Sequence, residues 1–322
     1  MLALAGRPLG LRFRFLDPSA EACAGEVGEL LVGGFDDEKL LDLLVDGAAA
    51  VTYEFENVPV AAARRVGAVP GVRALEEGQD RRREKELFRR LGIPTARFGG
   101  LDDTGLPAIV KSRRLGYDGK GQRVVRLAES LGADEVAEEL VPFSRELSLV
   151  AVRGRDGAVA FYPLTENVHR DGILRVSRVP AVGADDAVAC DYASRLLEEL
   201  DYVGVLALEL FEVDGRLLAN EFAPRVHNTG HWTIDGAVTS QFENHLRAIL
   251  GLPLGSTEAL GPCVMLNLIG GVPPLERLLA LPGAHVHLYG KEQRPGRKVG
   301  HVTLVDASEE TVAEVVRLAA SA

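Results

Sequence analysis

Apolar positions change period repeatedly along the chain, and each change marks an element. Residues 3–10 carry a helical pattern closing at Gly10; LRFRFLD (11–17) then alternates as a strand ending at Asp17-Pro18. GELLVGG, DDEKLLDLLVDG and AAVTYEF (28–55) read as strand, helix, strand, the order of a parallel sheet covered by helices. VPVAAARRVG predicts a helix with Pro59 in its first turn, and DRRREKELFRRL (80–91) a basic helix. LPAIVK is a short strand, RRLGYDGKGQ a glycine-rich loop, QRVVRL a strand, and SLGADEVAEEL (130–140) reads as helical. Two hairpins follow, turning at Arg155-Asp156-Gly157 and at Asp214-Gly215, with the amphipathic helix DDAVACDYASRLLEELD between them. SQFENHLRAILGLPLG is a helix stopped by Gly251 and Pro253, and the remainder mixes short strands with a last helix, SEETVAEVVRLAA. The predicted architecture is α/β at the front, α+β in the middle and a small mixed C-terminal cap.

Composition narrows the class. A chain of 322 residues with 47% hydrophobic and 26% charged residues is an ordinary globular protein of two or three domains. No apolar run reaches the ~18–20 residues that span a bilayer, and the N-terminus lacks the features of a signal peptide. Cys23, Cys190 and Cys263 are dispersed, with no metal-ligand spacing, which points to a reducing cytoplasm. A net charge of −11, with no long basic stripe, argues against a nucleic-acid partner. Of the 36 Lys and Arg residues only Lys39, Lys85, Lys111, Lys120, Lys291 and Lys298 are lysine. Retained lysines in an arginine-rich chain suggest compact point charges with specific tasks.

The densest chemistry lies in NEFAPRVHNTGHW (220–232), which packs Asn220, Glu221, Arg225, His227, Asn228 and His231 into one turn-rich segment. Folding does not need so many costly polar groups there; a site for a metal ion and an anionic substrate does. In the hairpin 203–223, a three-residue connection places Glu209 opposite Glu221, whereas a two-residue one pairs it with Asn220. Either register gathers oxygens suited to Mg²⁺. The loop glycines Gly116, Gly119 and Gly121 fit neither a Walker loop nor a dinucleotide fingerprint, because the loop joins two strands. Such a lid can still offer backbone N–H groups, Lys120 and Lys111 to phosphates, with Asp118 as a proton acceptor. Glu146 starts a strand after the linker Val141-Pro142, a place where backbone and carboxylate can meet a nucleoside. KEQRPGRKVGH (291–301) sets Lys291, Arg294, Arg297 and Lys298 around a tight turn, a phosphate-ester candidate. Glu54, Glu56 and Asn57 follow a predicted parallel strand, where ligands bind in open α/β sheets; Asn57 as a helix cap is the competing reading. His169 lies between strands, while His245, His285, His287 and His301 read as structural.

YEFENVP, GYDGKGQ, YPLTENVHRDGILR, NEFAPRVHNTGHW and RPGRKVGH, in this order, resemble the N5-carboxyaminoimidazole ribonucleotide synthases, an ATP-grasp family of purine biosynthesis. The resemblance runs from residue 1 to about 310. It implies a three-domain ATP-grasp fold: an N-terminal α/β domain (1–80), an ATP-grasp domain (81–255) with a lid at about 107–145, and a β-rich cap (256–322). It implies a homodimer that carboxylates 5-aminoimidazole ribonucleotide with bicarbonate and ATP, through carboxyphosphate. By resemblance, ATP would meet Arg81, Lys111, Gly116, Tyr117, Asp118, Gly119, Lys120, Gly121, Gln122, Glu138, Glu139, Leu140, Val141, Glu146, His169, Asn220 and Glu221. Glu209 and Glu221 would bind Mg²⁺. Glu56, Tyr117, Arg225, His227, Asn228, Lys291, Arg294, Arg297 and Lys298 would hold the ribonucleotide, with Asp118, Lys291 and Arg225 nearest the chemistry. The family opens with a strand and a GGGQLG-type turn, whereas this chain starts within the following helix, so the first strand of the parallel sheet is expected to be missing. Other ATP-grasp ligases, such as the formate-using glycinamide ribonucleotide transformylase, and a non-catalytic nucleotide-binding protein are the alternative readings.

Overall fold

The computed structural model describes residues 1–116 and 121–321. Its frame is a nine-stranded sheet. One edge is the hairpin of Gly204–Val213 and Arg216–Ala223, followed inward by Arg145–Arg153, Thr165–Arg170 and Ile173–Val179. Ile173–Val179 pairs antiparallel with Cys263–Ile269, which continues to Lys298–Val305 and Ala284–Leu288 at the other edge. The strands of the C-terminal region therefore continue the central sheet, and this brings residues 284–305 within reach of the turn after Ala223.

Helices cover the sheet because their apolar stripes match its faces. Asp186–Glu199, capped by Asp185, buries Ala189, Ala193, Leu196 and Leu197 against one side of the hairpin and Arg145–Arg153. Gln241–Leu250, capped by Ser240 and ended by Gly251 at φ 71°, packs on the other side with Leu2 and Trp232. Glu309–Ala320 covers the C-terminal strands.

A separate four-stranded sheet stands beside the hairpin, in the order Phe98–Gly99, Glu135–Glu139, Ala108–Ser112, Gln122–Val125. Residues 135–139 correct the helical reading of 130–140. Ala and Glu favour a helix locally, but here Val136, Ala137 and Glu138 are buried between two partner strands. Tertiary pairing overrides propensity in such a strand.

The N-terminal parallel sheet, among the described residues, pairs Arg14–Asp17 with Glu29–Val32. The strand expected at 49–55 does not form: the Val51 carbonyl accepts from Val69 N–H at 2.8 Å, but no strand runs beside it. An extended segment without a ladder partner is not a strand, whatever its composition. Asn57 does not cap the next helix, whose N-cap is Pro59 with no side-chain bond. Among the described residues, no helix is long and apolar enough to cross a membrane.

Candidate active site

The hairpin that carries Glu209 turns on two residues, Asp214 and Gly215, both at positive φ (49° and 72°). A regular ladder from that turn would set Glu209 opposite Asn220. A bulge intervenes: Leu210 pairs with Ala219, but Glu209 pairs with Glu221. Asn220 is the extra residue, and its Oδ1 is buried with no hydrogen-bond partner among the described residues. Bulges of this kind re-aim side chains next to functional sites.

This bulged strand is the sheet edge, and a helix satisfies its outward backbone groups. Glu84 accepts from Phe222 N–H at 2.6 Å, and Lys85 Nζ donates to the Asn220 carbonyl at 2.6 Å. Thr95 Oγ1 donates to Ala219 O, and Ala219 N–H to Pro94 O, both at 2.7 Å. Both charged residues lie in the helix Arg81–Arg90, capped by Asp80, which accepts from the backbone of Arg82 and Arg83. The sequence reading passed over Glu84 and Lys85. A Lys sharing a helix face with Phe88, three residues on, in an arginine-rich chain is the available signal.

Lys85 and Lys111 converge on Glu138 Oε2, at 3.3 and 2.9 Å. Burial opposes ionisation of Glu138, but the two ammonium groups outweigh it and hold the carboxyl at about 2. Arg81 reaches the other strand, pairing with Glu221 at 2.7 Å and donating to Gly116 O at 3.2 Å. Burial, then the Glu221 charge, pushes the Glu209 carboxyl up to about 8. Burial acts likewise on Glu221, but Arg81 and Lys111 hold that carboxyl at about 2. Two facing carboxylates of which one resists ionisation form a pocket of oxygens that a hard dication would relieve.

On the far side of this pair lies the turn after Pro224. Arg225 pairs with Glu56 at 3.0 Å, so Glu56 reaches the site without the predicted strand. His227 Nε2 stands 3.4 Å from Glu209, while its Nδ1 faces Thr229 Oγ1 at 2.9 Å. Burial, then the Arg225 charge, pulls His227 down to about 3, so the ring is neutral. Gln241 clamps the His227 backbone through both N–H and carbonyl, at 2.9 and 2.6 Å. Lys298 Nζ donates to Asn228 Oδ1 and lies 3.0 Å from His231 Nδ1. Asn228 also accepts from Asn267 at 3.3 Å.

The remaining predicted residues are spread around these two clusters. His169 and Glu146 bond at 2.9 Å. Gly121, at φ 74°, bonds through its carbonyl to Ser112 N, and Gln122 pairs with Lys111 across the small sheet. Glu139 pairs with Arg97 at 2.9 Å, Leu140 is exposed and Val141 half-buried. Lys291 sits 5.5 Å over the Tyr289 ring, Arg294 is exposed, and Arg297 lies 3.8 Å from Glu292. Tyr117, Asp118, Gly119 and Lys120 lie outside the described residues. His245 is structural, bonded to Thr52 and Val205.

Residues 1–76, 87–242 and 263–315 match the models of the ribonucleotide synthetase preATP-grasp domain, the ATP-grasp domain and the phosphoribosylaminoimidazole carboxylase C-terminal domain. The N5-carboxyaminoimidazole ribonucleotide synthase of Pseudomonas aeruginosa is 49% identical over 97% of this chain and 93% of its own length. The Thermus thermophilus N5-carboxyaminoimidazole ribonucleotide synthetase structure superposes with a TM-score of 0.93 and 56% identity, over 99% of this chain and 95% of that one. The Aspergillus clavatus synthase, in complex with ADP and 5-aminoimidazole ribonucleotide, superposes with a TM-score of 0.90 and 30% identity, over 100% of this chain and 96% of that one.

Proposed function

The chain belongs to the N5-carboxyaminoimidazole ribonucleotide synthase family, and from that premise we propose how its own residues divide the work. The reaction is the ATP-dependent carboxylation of 5-aminoimidazole ribonucleotide in purine biosynthesis. The observation that carries the division is the Glu209–Glu221 pair at the bulge, with one set of cations on each side. Arg81, Lys111 and the lid bind ATP, and Glu146 and His169 meet its nucleoside end. Arg225, His227, Asn228 and Lys298 bind the ribonucleotide, with Glu56 holding Arg225 in place. Lys291, Arg294 and Arg297 contribute the outer cations for its phosphate.

Glu209, Glu221 and the unpartnered Asn220 Oδ1 form an all-oxygen donor set that fits Mg²⁺. When bound there, Mg²⁺ would neutralise phosphate oxygens during phosphoryl transfer.

Bicarbonate is the carbon source in this reading. It is a poor electrophile, and phosphorylation turns it into carboxyphosphate, which is short-lived in water. Lys111 and Arg81 stabilise the charge on the transferring phosphoryl group. The exocyclic amine held in the adjoining half-site attacks the carboxyl carbon, the bond to phosphate breaks and inorganic phosphate leaves, while the lid excludes solvent. His227, its Nε2 3.4 Å from Glu209, keeps the seam between half-sites ordered. Asp118 takes the proton released by the amine, and Lys291 orients the acceptor. Dispersed cysteines support a cytoplasmic enzyme, and family membership supports a homodimer.

The test is ADP release with ¹³C-bicarbonate. Label should enter the product only when ATP and 5-aminoimidazole ribonucleotide are both present. Glu221→Gln should lower turnover more than about 100-fold, since even outer-shell changes at metal sites cost 10–100-fold. Formate replacing bicarbonate, or undiminished turnover in Glu221→Gln, would overturn the proposal.

A further inference from the structure

A second polar cluster lies in the C-terminal part of the sheet, and the carboxylation reading does not use it. Asp235 sits on the short helix Thr233–Gly236, His285 and His287 on Ala284–Leu288, and His301 on Lys298–Val305. His287 is directly opposite His301 in the ladder, and their rings stack at 4.6 Å with 16° between planes. Asp235 Oδ2 accepts from His287 Nε2 at 2.7 Å, and Oδ1 lies 3.6 Å from His285 Nδ1. One donor atom each from Asp235, His287 and His301 falls within 4.8 Å of the other two.

An Asp–His hydrogen bond accounts for two members of this cluster but not for the third. His301 is fully buried, and its Nε2 has no hydrogen-bond partner among the described residues. A buried ring nitrogen left unpaired is costly unless something fills the position. Its other nitrogen, Nδ1, meets Tyr289 Oη at 2.6 Å. The tautomer that donates Nδ1–H to Tyr289 puts the lone pair on Nε2. Metal-ligating histidines are held in this way, with the second ring nitrogen fixed by a polar partner.

We propose that Asp235, His287 and His301 form a binding site for a borderline transition-metal dication, with Zn²⁺ as the type ion. Two imidazoles and one carboxylate suit zinc and disfavour Mg²⁺, which prefers oxygen. The site is therefore chemically distinct from the all-oxygen Glu209–Glu221 pair. Zn–N bonds of ~2.0–2.1 Å set tetrahedral ligand spacings near ~3.4 Å. The three atoms lie within 4.8 Å of one another, so the half-buried Asp235 and His287 side chains would close in on the ion as it binds. Water or His285 completes the tetrahedron. A bound ion clamps the helix Thr233–Gly236 to the C-terminal strands. Tyr289 contacts both His301 and His231, and so links the clamp to Lys298. The metal site itself does not depend on the carboxylation reading.

The untagged full chain, stripped with chelator, is titrated with Co²⁺, whose visible absorption reports tetrahedral nitrogen and oxygen coordination, and then with Zn²⁺. The expected result is intense bands saturating at one Co²⁺ per chain and bleached by one Zn²⁺. Apparent affinity should fall at least tenfold in His287→Ala and in Asp235→Asn, and stay unchanged in Glu221→Gln. No bands in the wild type, equal bands in both cluster variants, or bands lost only in Glu221→Gln would overturn the proposal. X-ray absorption of the Zn²⁺-loaded wild type needs no variant. Two imidazoles in the first shell support the site, and a shell of oxygens alone refutes it.

Discussion

Glu138→Gln tests whether the buried charge cluster at the nucleotide side is held by its one shared carboxylate. Glu138 is 2% exposed and accepts from Lys111, with Lys85, 1% exposed, on the same oxygen. Removing its charge leaves two buried ammonium groups with a neutral acceptor. Burial raises the cost of ionising Glu138, yet the lysines bring it from 4.5 to about 2, a difference worth about 3 kcal/mol. Breaking a buried ion pair by removing one partner costs about 3–5 kcal/mol in general, the same order. Unfolding entropy of ~2.1 cal/mol/K per residue then gives a fall in Tm of about 4 °C at pH 7. The folded-state value is depressed, so the contribution is fully present above pH 4.5 and is lost as pH falls toward about 2. Differential scanning calorimetry from pH 7 downward should therefore show the gap between wild type and variant narrowing below pH 4.5. A Tm within about 1 °C of wild type at pH 7, or a gap independent of pH, would refute the reasoning. Lys85 also holds the Asn220 carbonyl, so the variant should weaken ATP binding beyond its effect on stability.

Asp80→Ala removes both the cap of the helix bearing Arg81 and Lys85 and the 2.7 Å pair with Arg113. A loss of about 1–2 kcal/mol in thermal or urea unfolding is expected, with Asp80→Asn retaining most of the cap's share; equal losses would contradict the capping role. Gly230→Ala places a Cβ 2.7–2.9 Å from the Gln241 side chain that clamps His227. It should raise the KM for 5-aminoimidazole ribonucleotide several-fold while leaving that for ATP near wild type, and a uniform change in both would count against the division of the site at Pro224. Trp232, the only Trp, is fully buried beside Tyr162, so its emission should shift to the red only on global unfolding; an early shift at low denaturant would place it in a locally opening segment.

Motif chemistry was legible along the chain because it is local. Arg225, His227 and Asn228 are close in sequence, so the turn after Pro224 gathers them wherever it lies. The same holds for the position of the hairpin turn at Asp214-Gly215, though not for its two-residue length. Long-range matters were not legible. Within 130–140, which had a helical composition, Glu135–Glu139 became a strand because it pairs with Phe98–Gly99 and Ala108–Ser112, and Lys85 and Lys111 neutralise the Glu138 buried there. Residues 49–55 had a strand composition and stayed irregular because a ladder needs a partner. Turn length alone would have paired Glu209 with Asn220. The bulge that sets it against Glu221 is stabilised by Glu84, Lys85 and Thr95, contacts more than a hundred residues away in sequence. The sequence by itself determined which side chains could do the chemistry. Tertiary structure alone decided their register, their burial and hence their charge, because these depend on neighbours that only folding supplies.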